Sequence, residues 1–368
     1  MSRKYWLGFN LVRGIGPMKV RALLDYFGDL QAAWGANEAA LRQAGLDRRA
    51  LSSLLKVRAR LDLDAEMEKV AAQNIQVLTW DDPDYPPRLL QIPDPPPLIY
   101  VRGQLTADDE WAVAVVGTRR ASAYGRTVTQ RIVTDLAVNH MTIVSGLARG
   151  IDAEAHRVAL KAGGRTIAVL GCGLDLVYPP EHRNLAREVV ARGALVSEYP
   201  LETRPEAKNF PPRNRIISGL SLGVLVIEAG LRSGALITAD YAADQGRDVF
   251  AVPGNLFVRS SMGTNRLIQD GARLATGAED VLEELNLTMV AQQAQVRAVV
   301  PETESEARLL QYLSLEPVHV DELCRQVELP IAQVTSNLAL MELKGMVRQV
   351  GGMNYVLMHE PSVTYRVD

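Results

Sequence analysis

Cysteine is scarce: Cys172 and Cys324 are the only two in 368 residues, and they lie far apart in sequence. That excludes a disulfide scaffold and a cysteine-based zinc finger, and it suits a reducing compartment. No apolar run reaches the roughly 18 residues a membrane span needs. The opening MSRKYWLGFN has no apolar stretch leading to a small-residue cleavage site. A soluble, cytoplasmic protein with no membrane partner is expected. Lysine is also scarce, at seven of the 40 cationic residues. The remainder is arginine, which grips phosphate in a planar fork and stacks on bases, although a general compositional bias also raises arginine. The net charge of −3 excludes a uniformly basic nucleic-acid coat protein, so local sign decides. No Gly-Lys dipeptide occurs, so there is no P-loop. The G-x-G-x-x-G fingerprint is missing too, and no cofactor is expected.

Residues 1–80 read as a small helical domain, with apolar Leu23, Leu24 and Phe27 at helical spacing and again Leu51, Leu54 and Leu55. Within it, VRGIGPMKVRALLDYFG resembles a helix–hairpin–helix, with Gly14 and Gly16 in the turn. Residues 81–103 carry seven of the chain's 19 prolines and read as a linker or a strand-like strap. From residue 111 the pattern changes. AVAVVG, TIVSG, TIAVLG, ALVSEYP, GVLVIEA and DVFAVPG are short apolar runs, each followed by helical periodicity. Alternation of this kind predicts a parallel sheet covered on both faces, an extended Rossmann-like, doubly wound α/β domain over 81–285. Residues 286–303 read as a linker. Residues 304–360 read as three helices and a Gly-Gly hairpin, a winged-helix layout.

Several signals fall at the expected carboxyl edge of the sheet, where open α/β folds bind anions in front of helix N-termini. Arg119 and Arg120 follow the first strand, in a stretch (111–134) with four arginines and no acid. Ser145, Gly146, Arg149 and Gly150 belong to SGLARGID, a Gly-rich loop that could cradle phosphate. In KNFPPRNRIISG, Lys208, Arg213 and Arg215 surround Phe210 with Asn214 between the arginines, an interleaving that suits single-stranded nucleic acid. The other reading has Phe210 in the core and the arginines paired with carboxylates. Ser233 and Gly234 lie in LRSGALITAD, another loop leading into a helix.

Other patterns point less clearly to function. GLSLG at 219–223 matches the serine-hydrolase elbow, but it falls between a helix and the next strand, where an elbow does not occur. Asp152 and His156, four apart, could be an acid–base pair, or Asp152 could be an N-cap. The winged-helix stretch 302–357 holds eight acids and four bases, so a protein-contact role is favoured over groove binding.

Taken together, VGTRRAS, SGLARGIDAEAH, TIAVLGCGLDLVYPPEH, SEYP, FPPRNRIISGLS, SGALITADYAADQGRDVFAVPG and GTNRLIQDGA, in this order, resemble the DprA/Smf DNA-processing family. The resemblance is dense over about 80–300, and the end domains agree in type. It implies a non-enzymatic, single-stranded-DNA-binding protein of natural transformation. Such a protein dimerises, loads RecA onto the strand and counters single-strand-binding protein. The family's Gly-Ser-Arg phosphate site falls on Gly117, Thr118 and Arg119, with threonine keeping the hydroxyl. The family's basic residue before FPxRN falls near Lys208. Asn265, Leu267, Ile268 and Leu274 are expected at a dimer or partner surface, core packing being the other reading. Two rival functions are kept. One is a LOG-type nucleotide phosphoribohydrolase, although SGALITAD lacks that class's paired glycines and glutamate. The other is a winged-helix transcription regulator.

Overall fold

The computed structural model describes residues 2–285, 304–314, 317–327, 329–343 and 347–357. It opens with six short helices: α1 (Arg3–Asn10), α2 (Pro17–Phe27), α3 (Leu30–Gly35), α4 (Glu38–Gln43), α5 (Arg48–Arg58) and α6 (Leu63–Ala71). Asp29, Asn37, Asp47 and Asp62 each precede a helix and accept a backbone N–H of its first turn, so the starts of α3 to α6 are written locally. The helical reading fails at 75–79. There Asn74 turns the chain at φ 55°, and IQVLT forms strand β1 (Ile75–Thr79).

The proline strap holds α7 (Pro87–Leu90) and β2 (Leu98–Gly103), and β2 pairs antiparallel with β1. The boundary expected at 80/81 thus falls between two strands of one sheet. Six parallel strands follow where six were expected: β3 (Ala112–Val116), β4 (Thr142–Ser145), β5 (Thr166–Val169), β6 (Ala194–Ser197), β7 (Gly223–Val226) and β8 (Asp248–Ala251). Between them run α8 (Ala123–Val138), α9 (Ile151–Lys161), α10 (Arg183–Arg192), α11 (Phe210–Gly219) and α12 (Gly234–Asp244). Then come α13 (Met262–Gln269), the two-residue strand β9 (Arg273–Leu274) and α14 (Ala278–Glu284).

The sheet order is β1-β2-β6-β5-β4-β3-β7-β8-β9. The chain steps from β3 outward to β6, then returns to the other side of β3 with β7. The crevice between the β3 and β7 loops is therefore the topological switch point, the place where doubly wound sheets take ligands. One core packs α1 to α6, α9 and α10 on one face of the sheet, with Phe9, Leu54, Tyr100 and Leu195 buried together. A second core lies under α7, α11 and α12, with Leu89, Ile216, Val226 and Ala239. Residues 1–285 thus form a single unit.

The second unit contains α15 (Glu304–Tyr312), β10 (Val318–His319), α16 (Val320–Val327), α17 (Ile331–Leu343), β11 (Val347–Gly351) and β12 (Asn354–Leu357). Its sheet runs β10-β12-β11, and Leu309, Leu323, Leu338 and Tyr355 are in its core. This is the expected winged helix with one additional short strand. The linker expected at 286–303 and the residues after 357 lie outside the described residues. Among the described residues no helix is long and apolar enough to cross a membrane.

A buried ion pair holds α11 to the strap and the end of β6. Arg215 Nη2 donates to Glu198 Oε2 at 2.7 Å and Nη1 to Oε1 at 3.3 Å, with Asp94 at 3.4 Å from Nε. Removing one partner strands the other charge. Glu198→Ala is expected to lower the urea-unfolding free energy by about 3 kcal/mol, the low end for a broken buried pair because Asp94 remains. A loss under 1 kcal/mol would show that Arg215 is solvated without it.

Candidate nucleic-acid interface

The loops after β3, β4, β5 and β7 converge on an open crevice of about 730 Å³ at the switch point. Arg119 and Arg120 stand on one lip and Arg232 on the other, all exposed. No side-chain hydrogen bond or ion pair engages any of the three among the described residues. Phe210 starts α11, half-buried, and its ring lies 5.7 Å from that of Tyr178, which is 40% exposed. The Arg119 guanidinium lies 5.6 Å from the Phe210 ring centre, within cation–π reach.

Arg213 forms the floor. It is 4% exposed and donates to the carbonyls of Gly146 and Val169, at the ends of β4 and β5, and to Asn214 Oδ1. Burial pulls its pKa down to about 10, with the Asp152 carboxylate opposing. Burial pushes Asp152 up from the ordinary carboxylate range, with Arg213 opposing. Asn214 also donates to Gly234 O at 3.3 Å, tying α11 to the start of α12.

Two of the expected anion cradles are filled from within. Glu228, at the end of β7, is 3% exposed; its carbonyl accepts the Thr118 N–H at 2.7 Å and its Oε2 accepts the Ser122 N–H at 3.0 Å. Gly125 packs on that carboxylate so closely that a side chain there would collide with it. Glu228 thus takes the Ser122 N–H at the head of α8, beside the amides that Arg119 was expected to share with an external phosphate. Asp152 does the same for the SGLARGID loop, accepting the N–H groups of Gly146 and Ala148. It is therefore neither the N-cap of α9, which is Gly150, nor a partner of His156. The start of α12 differs. Ser233 caps Ala235, and no heavy atom lies within 4 Å of the position a Gly234 side chain would take.

The other expected residues divide clearly. Gly117, Thr118, Arg119, Arg120, Phe210, Arg213, Asn214, Ser233 and Gly234 line the crevice. Gly150, at φ 78°, lets α9 abut the Thr118 carbonyl, where any side chain would clash. Ser145 is buried and donates to Val115 O at 2.7 Å. Gly146 packs against Arg213 and Asp152. Arg149 and Lys208 are exposed but paired with Glu181 and Glu206, at 2.5 and 2.6 Å. Arg215 points to the other side of α11, into its ion pair. Two spacings on a helix separate side chains by about 200°, so Arg213 and Arg215 could not both face the crevice. Sequence reasoning missed Arg232, although it lies inside LRSGALITAD, and Tyr178. At the far edge, Leu274 is 49% exposed on β9, and Leu267 packs partly into the core. Asn265 clamps Gly254 through both amide atoms. Ser221 is buried and donates to Ile217 O at 2.9 Å.

The family model for DNA recombination-mediator protein A matches residues 76–286, more than half of the chain. The chain belongs to this family, DprA/Smf. A DprA winged helix domain model matches 293–353. Among relatives, Protein Smf of Synechocystis is 37% identical over 391 residues, covering 96% of this chain and 98% of its own. Among solved structures, DNA processing protein A (DprA) from Streptococcus pneumoniae superposes with a TM-score of 0.67 at 35% identity, covering 76% of this chain and 97% of that one. DNA processing protein A from Helicobacter pylori, whose structure is reported for its single-stranded DNA binding mode, gives 0.52 at 31% identity, covering 57% and 96%.

His156, expected as a possible acid–base residue, behaves as a buried neutral group. The Thr166 hydroxyl gives its proton to Ile143 O, so it accepts from His156 Nδ1–H at 2.6 Å. Nε2 is buried without a partner among the described residues, and burial lowers the pKa from 6.5 to about 3. Between those values the unfolded chain takes a proton that the folded one refuses, so stability falls as pH falls below 6.5. From pH 7 to 5 this group should remove about 2 kcal/mol. His156→Gln should shrink the pH 7-to-5 difference in urea-unfolding free energy by that amount; an unchanged difference would contradict the assignment.

Proposed function

We propose that the switch-point crevice binds single-stranded DNA without sequence specificity, through its unpaired lip arginines and the Phe210–Tyr178 aromatic pair. The observation that carries this reading is the three exposed arginines Arg119, Arg120 and Arg232, whose side chains make no hydrogen bond or ion pair among the described residues, around rings on which bases can stack. The Helicobacter relative's reported binding mode supports it. Family resemblance extends the proposal: the chain acts in natural transformation, pairs with a second copy, loads RecA onto the strand and displaces single-strand-binding protein. For the second copy, the exposed Leu274 on the edge strand β9 is the surface the fold offers.

Binding without turnover is the companion proposal. A nucleotide phosphoribohydrolase would need paired glycines and a glutamate in the loop that opens α12, and SGALITAD there supplies neither the pair nor that glutamate. The hydroxyl of Ser221 is committed to the backbone, which weighs against a serine-hydrolase role. The acidic composition of the winged helix weighs against a groove-reading regulator.

Arg119 and Phe210 test the site separately. If Arg119 holds one phosphate, Arg119→Ala should flatten the slope of log K against log salt by about 0.7, alike for all sequences. Phe210→Ala should lose about 1–3 kcal/mol of binding with the slope nearly unchanged. The measurement is anisotropy of labelled oligo-dT across salt, with melting temperature as the fold control because Phe210 also packs on Gly171. Wild-type affinity and slope in a folded Arg119→Ala protein would refute the site, and equal affinity for duplex and single strand would refute the reading.

A further inference from the structure

Beside the crevice, the loop between β8 and α13 carries the most exposed aromatic ring among the described residues. Phe257 is 93% exposed, Leu256 74% and Val258 43%. Burying apolar groups is the main driving force of folding, so an ordered loop that turns three of them outward calls for an external partner. The loop is held in this form. The Asn255 side chain accepts the Phe257 N–H at 2.8 Å, Ser261 N–H donates to Val258 O at 2.9 Å, and Asn265 clamps Gly254.

Its contacts place it on the rim of the proposed DNA site. Gly263 N–H donates to Ala229 O at 2.7 Å, and the Arg259 carbonyl lies 3.2 Å from the position a Gly230 side chain would occupy. Gly230 lines the crevice and leads to Arg232. On the other side, Tyr124 of α8, 49% exposed, donates to Pro253 O at 2.8 Å, so the loop is tied to the segment that follows Arg119 and Arg120. Residues 249–269 contain no Asp or Glu and carry Arg259, while Arg266 is paired with Asp270 just beyond, at 2.9 Å; 111–134 contain four arginines and no acid.

We infer that Phe257 is a second stacking point for single-stranded DNA, engaging a base of the strand after it leaves the Phe210 crevice. This rests on the proposed function and extends it. An exposed ring in an acid-free, arginine-bearing wall has the chemistry of a sequence-tolerant single-strand track, with cations for phosphate and a π-face for a base. An acidic protein surface would satisfy the arginines but leave the ring without a planar partner.

Because Phe257 is almost fully exposed, its substitution leaves the core intact. Phe257→Ala and Phe257→Trp are each compared with the parent and Arg119→Ala, using a short oligo-dT that fills only the crevice and a long one that continues past it. Phe257→Ala should weaken the long oligonucleotide about five- to 150-fold, the range for one lost base stack, and leave the short one unchanged. In Phe257→Trp, indole emission should be quenched by the long oligonucleotide and not by the short. Unquenched indole with parental affinity overturns the proposal while Arg119→Ala, weakening both lengths, still upholds the crevice. No binding of either length by the parent overturns both. Parental DNA affinity, together with a fall to monomer mass by light scattering in Phe257→Ala, overturns it in favour of a contact between copies.

Discussion

The buried guanidinium of Arg213 is the point on which the binding crevice rests. It sits below solvent at the start of α11 and donates to the terminal carbonyls of β4 and β5. Those carbonyls lie where the strands end, and a buried unpaired carbonyl costs about 1–3 kcal/mol. Closing them with a charged side chain is favourable only when the charge is itself balanced, which Asp152 does at the start of α9. The cation then carries the Phe210 ring above it, 5.8 Å from the guanidinium. One residue thus joins two strand ends, one helix start and the aromatic surface that a base would meet.

Asp152 and Glu228 show how far this sheet has moved from a dinucleotide fold with the same topology. In such folds the amides at helix starts after the first strand hold a pyrophosphate. Here the Ser122 amide at the head of α8 and the Ala148 amide of the loop before α9 go to the protein's own carboxyl groups, and the glycines serve close packing against them. Gly125 faces Glu228, Gly146 faces Asp152 and Arg213, and Gly150 faces the Thr118 carbonyl. An external phosphate is then met by the open start of α12 and by the lip arginines, whose side chains make no hydrogen bond or ion pair among the described residues.

The sheet was legible in sequence because parallel strands buried on both faces read as unbroken apolar runs, AVAVV being fully buried along its length. The capped helices were legible for local reasons. Strands β1 and β9 were not. Their identity comes from pairing with β2 and β8, a non-local fact that five or two residues do not encode. At the site, loops and cations were visible, but their partners were not. Nothing near Arg149 or Arg215 in sequence says which carboxylate the fold brings to each, because Glu181 and Glu198 come from other elements; the partner of Lys208, Glu206, lies only two residues away. The helical offset of Arg213 and Arg215 was available from spacing alone.

A fixed amide cradle and a set of free arginines select for different ligands. Amides at a helix start are rigid and converge on one point, so they favour one compact anion in one pose. Arginines on opposite lips of an open crevice are mobile, spread apart and able to meet phosphates at more than one spacing. A flexible polyanion with a repeating backbone fits the second arrangement, and its affinity then comes largely from counterion release, which carries no sequence information. Filling the helix starts with Glu228 and Asp152 therefore does two things at once. It stabilises the loops without any ligand, and of the starts of α8, α9 and α12 it leaves only that of α12 open to a compact anion.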